Sequence, residues 1–224
     1  PKLLNVAAIC VYPNFIETVK SSLKDESVKI ASVGGSFPSS QTFLSVKTAE
    51  CDLCAKKGAD EIDIVLPIGK FLKNKYDEVV KEISLIKSTI CNKKLKVIIE
   101  SGELQNLNNI YNASIISMQS GADFIKTSTG KTPVSSTPEA VYTMCLAIKE
   151  HYKSTGKKVG IKPSGGIVDK NDAILYYLIV EKVLGKEWLN NKLFRFGASR
   201  LANNLLNEMY SICKNTDEKI NYFK

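Results

Sequence analysis

Short apolar runs alternate along the chain with longer segments in which apolar residues recur every three or four positions. Apolar recurrence at that spacing predicts amphipathic helices, as for Val79, Ile83 and Ile86. The short runs predict seven β-strands: Ala7–Tyr12, Ile30–Gly34, Glu61–Leu66, Lys96–Glu100, Asp123–Lys126, Val159–Lys162 and Leu193–Gly197. Regular alternation of strands and helices indicates a parallel sheet, either closed into a barrel or open with helices on both faces.

Charged residues inside the predicted strands favour the barrel. Glu61 and Asp63 lie on the opposite face of their strand to Ile62 and Ile64. A sheet covered by helices on both sides should be apolar on both faces, whereas the inside of a barrel carries functional side chains near one end. We therefore predict an α/β fold, a TIM (β/α)8-type barrel, formed as one domain by residues 1–224. Seven strands are one fewer than eight, so we expect the first β/α unit to be absent from this chain.

Composition narrows the function classes. The chain is 44% hydrophobic and 24% charged, and no apolar run approaches the roughly 18 residues of a membrane span. The net charge of +8 comes from lysines dispersed along the chain, with no cluster of basic and aromatic residues, which favours anionic small molecules over nucleic acid. Six cysteines without a scaffold pattern predict reduced thiols and a cytoplasmic location. The single histidine, His151, excludes a multi-histidine metal site, and we expect it to be solvated.

Two lysines end neighbouring predicted strands and are each followed by a small, polar, glycine-containing loop: Lys126 and Lys162. Side chains at matching positions of adjacent strands lie about 5 Å apart. Burial and a neighbouring ammonium both disfavour the charged form, so one amine becomes a nucleophile for carbonyls. The alternative is a pair of lysines that bind phosphate or pair with carboxylates. Asp63 is a candidate proton shuttle, with a salt bridge to either lysine as the alternative. We expect Glu100 to lie behind it and Cys10 to be a small core residue.

Two later loops combine glycine with small hydroxyl residues, at 164–167 and 197–200. Barrel enzymes commonly bind phosphate with the loops that follow their last two strands. We therefore favour a phosphate site here over ordinary turns. The segment Gly130–Thr132 resembles the end of a Walker A loop, but position 125 is Ile where that loop needs glycine. A nucleotide-hydrolase function is excluded on that spacing.

Several motifs in one order resemble the deoxyribose-phosphate aldolase family, class I and DeoC type. The most specific is GADFIKTSTGK at 121–131. The others are AAICVYP at 7–13, GADEIDIVLPIG at 58–69, KVIIESGEL at 96–104, KPSGGI at 162–167 and RFGAS at 195–199. Together they extend over nearly the whole chain.

The resemblance implies an enzyme that cleaves 2-deoxy-D-ribose 5-phosphate to D-glyceraldehyde 3-phosphate and acetaldehyde, in deoxyribonucleoside catabolism. It implies that Lys126 forms the Schiff base, that Lys162 depresses the pKa of Lys126 and helps to move protons, and that Asp63 acts through water as general acid and base. It implies no metal and no organic cofactor. The residues expected to bind the substrate and its phosphate are Thr129, Gly130, Lys131, Gly165, Gly166, Gly197, Ser199 and Arg200.

The chain departs from the family pattern in three places. The first strand, with an aspartate that contacts the second lysine, is absent; Val168 stands where an arginine is common; and Arg200 replaces a second serine. We expect Arg200 to supply the missing charge for phosphate. Tyr222 is a candidate counterpart of a C-terminal tyrosine that transfers protons in some members. Another Schiff-base sugar-phosphate aldolase and a non-catalytic phosphate-binding relic remain open as alternatives, and so does a homodimer.

Overall fold

A computed structural model of the chain describes residues 5–214. In these residues six strands form one sheet in chain order, and each strand is parallel to the next. The strands are β1 (Ala8–Val11), β2 (Lys29–Val33), β3 (Glu61–Val65), β4 (Lys94–Ile98), β5 (Phe124–Lys126) and β6 (Gly160–Lys162). The parallel sheet with its helices is the predicted α/β architecture of TIM-barrel type.

The helices lie in the connections between strands and after the last one. They are α1 (Ile16–Ser22), α2 (Leu44–Lys57), α3 (Ile68–Leu72), α4 (Tyr76–Thr89), α5 (Leu107–Gln119), α6 (Pro138–Thr155), α7 (Lys170–Leu184) and α8 (Arg200–Lys214). Local sequence fixes several starts. Thr137 accepts a hydrogen bond from the Ala140 amide at the start of α6, and Asp169 forms a capping box with Asp172 at the start of α7. None of the helices in residues 5–214 combines the length and apolar character needed to cross a bilayer.

The predicted seventh strand, Leu193–Gly197, is not a regular strand. It runs beside β6 through two isolated parallel bridges, Ile161 to Phe194 and Ser164 to Gly197. The Ile161 amide donates to the Leu193 carbonyl at 2.8 Å, and the Gly197 amide donates to the Pro163 carbonyl at 2.8 Å. Pro163 lies between these bonds and has no N–H to donate, so the ladder is interrupted there.

The sheet is curled but not closed within the described residues. β1 pairs with β2 alone, and the order of strands ends at β6 with its short bridges. Cys10 in β1 lies in register with Ala31 and, through it, with Glu61. We expected Cys10 to be a small core residue, but it is exposed. The prediction was wrong because a packed core position beside β1 needs a closed barrel.

The apolar core lies between the sheet and its helices. Ile62 and Ile64 face the helices, as the alternation predicted, and are almost fully buried. Burying each such side chain contributes about 1.5–3 kcal/mol. His151 was expected to be solvated, but it is only 5% exposed. It follows Met144 and Ile148 on the buried face of α6, at helical spacing, and burial lowers its pKa, with a further contribution from Lys157.

Candidate active site

Four charged side chains project from neighbouring strands onto one face of the sheet, which we call the inner face. Asp63 in β3 is in register with Lys96 in β4, and Lys126 in β5 is in register with Lys162 in β6. Because side chains two positions apart share a face, period-two alternation delivers all four to one place. The sequence predicted this for Asp63, Lys126 and Lys162.

The carboxylate of Asp63 is the centre of the group. Its Oδ2 accepts from Lys126 Nζ at 3.1 Å and from Lys162 Nζ at 3.0 Å, and its Oδ1 accepts from Lys96 Nζ at 2.6 Å. Asp63 is fully buried, and Lys126 and Lys162 are only 6% and 7% exposed. The two lysines therefore converge on one oxygen in a site that excludes most water.

This arrangement favours the ionised form of Asp63 and disfavours the charged form of Lys162. Burial alone would raise the pKa of Asp63, but the ammonium groups of Lys162, Lys96 and Lys126 outweigh it and hold that pKa well below its usual range. Burial lowers the pKa of Lys162 to about 8, and the charges of Lys126 and Lys96 act in the same direction against Asp63. We expected one lowered pKa in the pair of lysines, and the pKa of Lys162 is lowered.

Lys96 is a site residue that the sequence pattern predicts only as the first residue of a strand. It is completely buried and donates to Asp63 while pairing with Glu61 at 2.7 Å. The two carboxylates outweigh the cost of burial and raise the pKa of Lys96. Glu61 in turn accepts two hydrogen bonds from Arg195, at 2.7 and 2.8 Å. The available signal was a lysine followed directly by three apolar residues, in the strand next to the one that carries Glu61 and Asp63.

Glycines make room around the lysines. A Cβ at Gly197 would lie 2.5 Å from Ser164 Cβ and 3.2 Å from Lys162 Cε, so glycine there permits the close approach of the two segments. A Cβ at Gly160 would lie 2.3 Å from the Phe124 ring, which fills the inner face below Lys126. Gly197, predicted to bind phosphate, thus also has a packing reason to be glycine.

The predicted phosphate loops lie side by side. Gly165 and Gly166 follow β6 with φ of +79° and +77°, in the left-handed region that favours glycine. Gly165 donates to the Gly197 carbonyl at 3.4 Å, and Gly130 Cα would be 3.5 Å from a Cβ at Gly165. The structure therefore brings the loops after β5 and β6 together with residue 197. Ser199 and Arg200 are exposed at the start of α8.

Glu100 fastens the loop after β5. It accepts hydrogen bonds from the Thr129 amide and hydroxyl and from the Thr132 hydroxyl at 3.3 Å. Thr129 and Lys131 border an open cleft of about 780 Å³ at the carboxyl-terminal ends of the strands. Glu100 thus positions the loop that carries these predicted binding residues, and it borders the same cleft.

Tyr222 lies outside the described residues. Within residues 5–214, no group of three or more His, Cys, Asp or Glu side chains is arranged to hold a metal ion.

Comparison with known proteins gives a consistent result. The family model described as DeoC/LacD family aldolase matches residues 4–178. The chain is 40% identical over 205 residues to deoxyribose-phosphate aldolase from Agrobacterium fabrum, covering 91% of this chain and 77% of that protein. It is 38% identical over 211 residues to the human protein of that name, covering 93% of this chain and 66% of the human chain.

A solved structure supports the same relationship. The tetrameric deoxyribose phosphate aldolase from Aeropyrum pernix matches with a TM-score of 0.67 and 26% identity, over 91% of this chain and 77% of that one. The residues matched by the family model, 4–178, include the strands that carry Asp63, Lys126 and Lys162. On the family match and the identity to its relatives, this chain belongs to the DeoC/LacD aldolase family.

Proposed function

We propose that this protein is a class I aldolase that cleaves 2-deoxy-D-ribose 5-phosphate to D-glyceraldehyde 3-phosphate and acetaldehyde. The observation that carries the proposal is the convergence of Lys126 and Lys162 on one buried oxygen of Asp63, at 3.1 and 3.0 Å. Relatives named deoxyribose-phosphate aldolase, at 38% and 40% identity, support the choice of substrate. The proposal assigns the nucleophile to Lys126, charge tuning and proton transfer to Lys162, and acid–base catalysis to Asp63.

The first half of the reaction builds an electron sink. Neutral Lys126 attacks the C1 carbonyl of the open-chain sugar, and the resulting carbinolamine loses water to give a protonated imine. Asp63, acting through water, removes the proton from the C3 hydroxyl. The C2–C3 bond then breaks, its electrons move into the imine to give an enamine, and C3 leaves as the aldehyde carbon of D-glyceraldehyde 3-phosphate.

The second half returns the enzyme to its starting state. The enamine takes a proton at C2, and water then adds to the imine and releases acetaldehyde from Lys126. A base with a pKa near the working pH is best suited to carry these protons. Lys162, with a pKa of about 8 and a place beside Lys126, has that property.

The phosphate of the substrate is proposed to lie on the loops after β5 and β6 and at the start of α8. Backbone N–H groups in glycine loops bind phosphate oxygens well, and a helix N-terminus adds a favourable dipole. Arg200 supplies positive charge at that helix start. The complete set of proposed substrate-binding residues is Thr129, Gly130, Lys131, Gly165, Gly166, Gly197, Ser199 and Arg200.

We also propose that the enzyme acts in the cytoplasm and forms a homodimer. The described cysteines, Cys10, Cys51, Cys54, Cys91 and Cys145, are free, in keeping with a reducing compartment. The Aeropyrum pernix relative is described as tetrameric, so a larger assembly is the competing outcome. Light scattering coupled to size-exclusion chromatography decides between them.

Chemical trapping tests the proposed mechanism. The protein is incubated with acetaldehyde and sodium borohydride, and the reduced adduct is located by peptide mass spectrometry. We expect an ethyl group on Lys126. An ethyl group on Lys162 would reverse the two lysine roles, and a folded protein that traps nothing would contradict aldolase function and favour the phosphate-binding relic.

A coupled assay tests the substrate. Release of acetaldehyde from 2-deoxy-D-ribose 5-phosphate is followed with alcohol dehydrogenase and NADH. Rapid cleavage supports the assignment. A protein that traps acetaldehyde on Lys126 yet cleaves only other sugar phosphates would be a different Schiff-base aldolase of the same fold.

A further inference from the structure

A second cleft opens at the amino-terminal ends of the strands, at the opposite end of the sheet from the phosphate loops. Its volume is about 450 Å³, within the range of small-molecule sites. It is bordered by residues that precede or begin β1, β2, β3 and β4 and by residues before Phe196. None of the proposed catalytic or phosphate-binding residues borders it.

The lining of this cleft is strongly basic. Its two acidic residues, Asp60 and Glu61, face five cationic side chains, Lys29, Lys93, Lys94, Lys192 and Arg195. These residues come from four separate segments of the chain, so it is the fold that collects them. A concave surface lined by one sign of charge concentrates ions of the opposite sign.

The carboxylates of Asp60 and Glu61 already have hydrogen-bond and ion-pair partners. Glu61 accepts from both terminal nitrogens of Arg195 and pairs with Lys96 at 2.7 Å. Asp60 accepts from the Ile30 amide at 3.0 Å through Oδ2, and its Oδ1 lies 3.9 Å from Lys93. They therefore cannot neutralise the remaining cations.

Three of the lysines have no carboxylate partner among the described residues. Lys29 Nζ donates to the Glu26 carbonyl at 3.1 Å, and Lys192 has no ion pair there. Lys94 Nζ lies 5.6 Å from the centre of the Phe124 ring, and the Arg195 guanidinium lies 5.1 Å from the same centre. Two cations thus approach one aromatic ring, and an anion close to both would relieve their repulsion.

We propose that this cleft binds a small multivalent oxyanion of the phosphate class. Lys94 and Lys192 would contact its oxygens directly, with Lys29 and Lys93 at the edge. The side-chain amide of Asn92 and the hydroxyl of Ser27, which also border the cleft, add neutral donors. A phosphate-class anion suits this lining better than a monocarboxylate because it offers more charge and more acceptor oxygens to several ammonium groups.

Inorganic pyrophosphate is the probe for the test. It is titrated into 15N-labelled protein while backbone amide shifts are followed by NMR. We expect saturable shifts around residues 92–94 and 191–195, separate from any shifts at Gly165 and Gly166 on the catalytic face. Absence of saturable shifts at the amino-terminal cleft would overturn the proposal.

Matched variants locate the binding. The double variant Lys94→Gln/Lys192→Gln should weaken pyrophosphate binding at this cleft at least tenfold. The variant Lys94→Arg/Lys192→Arg keeps both charges and should bind pyrophosphate as the parent does. The control Lys24→Gln/Lys149→Gln removes the same charge from two exposed positions elsewhere and should change the affinity less than twofold. If the control lowered the affinity for pyrophosphate equally, the effect would come from net charge alone, and the proposed site would be wrong.

The test is independent of catalysis. The dispersed amide spectrum of Lys94→Gln/Lys192→Gln establishes that the variant is folded, and acetaldehyde trapping at Lys126 should be retained in it. Unchanged pyrophosphate shifts at residues 92–94 in that folded variant would contradict the proposal, whatever substrate the catalytic end accepts.

Discussion

The two ends of the inner face use the same residue types in opposite ways. Toward the amino-terminal end, Glu61 is matched by a bidentate arginine, Arg195, and by Lys96. Toward the other end, one carboxylate, Asp63, faces Lys96, Lys126 and Lys162. Arg195 and Lys96 hold Glu61 through short contacts that fix its position, whereas the three ammonium groups around Asp63 leave one lysine, Lys162, with a lowered pKa. The lysine with the lowered pKa thus lies at the end of the strands that carries Asp63, and the Glu61–Arg195 pair lies at the other end.

The largest effect is expected from removing the proposed nucleophile, Lys126. Lys126→Met keeps most of the side-chain volume but removes the amine, so cleavage should fall by at least about 10³-fold and trapping should disappear. Steady-state kinetics and mass spectrometry measure both. A Lys126→Met protein that still acquires an ethyl group on Lys162 would contradict the roles assigned to the pair.

The link between the two ends is Lys96. Lys96→Met leaves the buried carboxylates Glu61 and Asp63 without their shared partner, so the free energy of unfolding should fall by about 3–5 kcal/mol. Urea denaturation measures the change. As a matched control, the exposed Lys149→Met should stay within about 0.5 kcal/mol of the parent. A loss below 1 kcal/mol in Lys96→Met would show that Arg195, Lys126 and Lys162 are enough to stabilise the two buried carboxylates.

A smaller effect is expected at the phosphate end. Arg200→Ser removes one charge-assisted contact, so KM for 2-deoxy-D-ribose 5-phosphate should rise by about tenfold. KM for 2-deoxy-D-ribose, which has no phosphate, should not change and is the internal control. An unchanged KM for the phosphorylated sugar would remove Arg200 from the proposed site.

The smallest effect is a pH dependence. Because the pKa of Lys162 is about 8, its neutral fraction rises between pH 7 and 9, and trapping at Lys126 should accelerate by at most about tenfold over that range. Asp63, whose pKa is held well below its usual range, stays ionised throughout. Lys162→Met should flatten the profile, and a steep profile in that variant would assign the titration to another group.

The same shift predicts the sign of a stability change. The pKa of Lys162 is lower in the folded protein than its ordinary value of 10.5, so between about pH 8 and 10.5 the unfolded chain binds more protons. The contribution of Lys162 to the free energy of unfolding should therefore increase with pH in that window and be flat below it. Urea midpoints of the parent and Lys162→Met, compared across the window, measure this contribution.

Much of the fold, and the grouping of Asp63, Lys126 and Lys162, could be predicted from the sequence because side chains alternate between the two faces of a strand. Alternation in Glu61–Ile64 placed Asp63 inside, and the strand ends at Lys126 and Lys162 placed both amines beside it. The role of Lys96 needed the register between β3 and β4, which a single strand does not specify. The seventh strand was predicted as regular, but Pro163 in its neighbour removes a ladder donor.

By itself the sequence determined which residue types alternate, where strands and helices form and that amine chemistry is available. The tertiary structure decided which charges meet. It paired Glu61 with Arg195 over a long separation in the chain, exposed Cys10 and buried His151. The physical reason is that local periodicity fixes the face on which a side chain lies, whereas burial and electrostatic partners depend on contacts between distant segments.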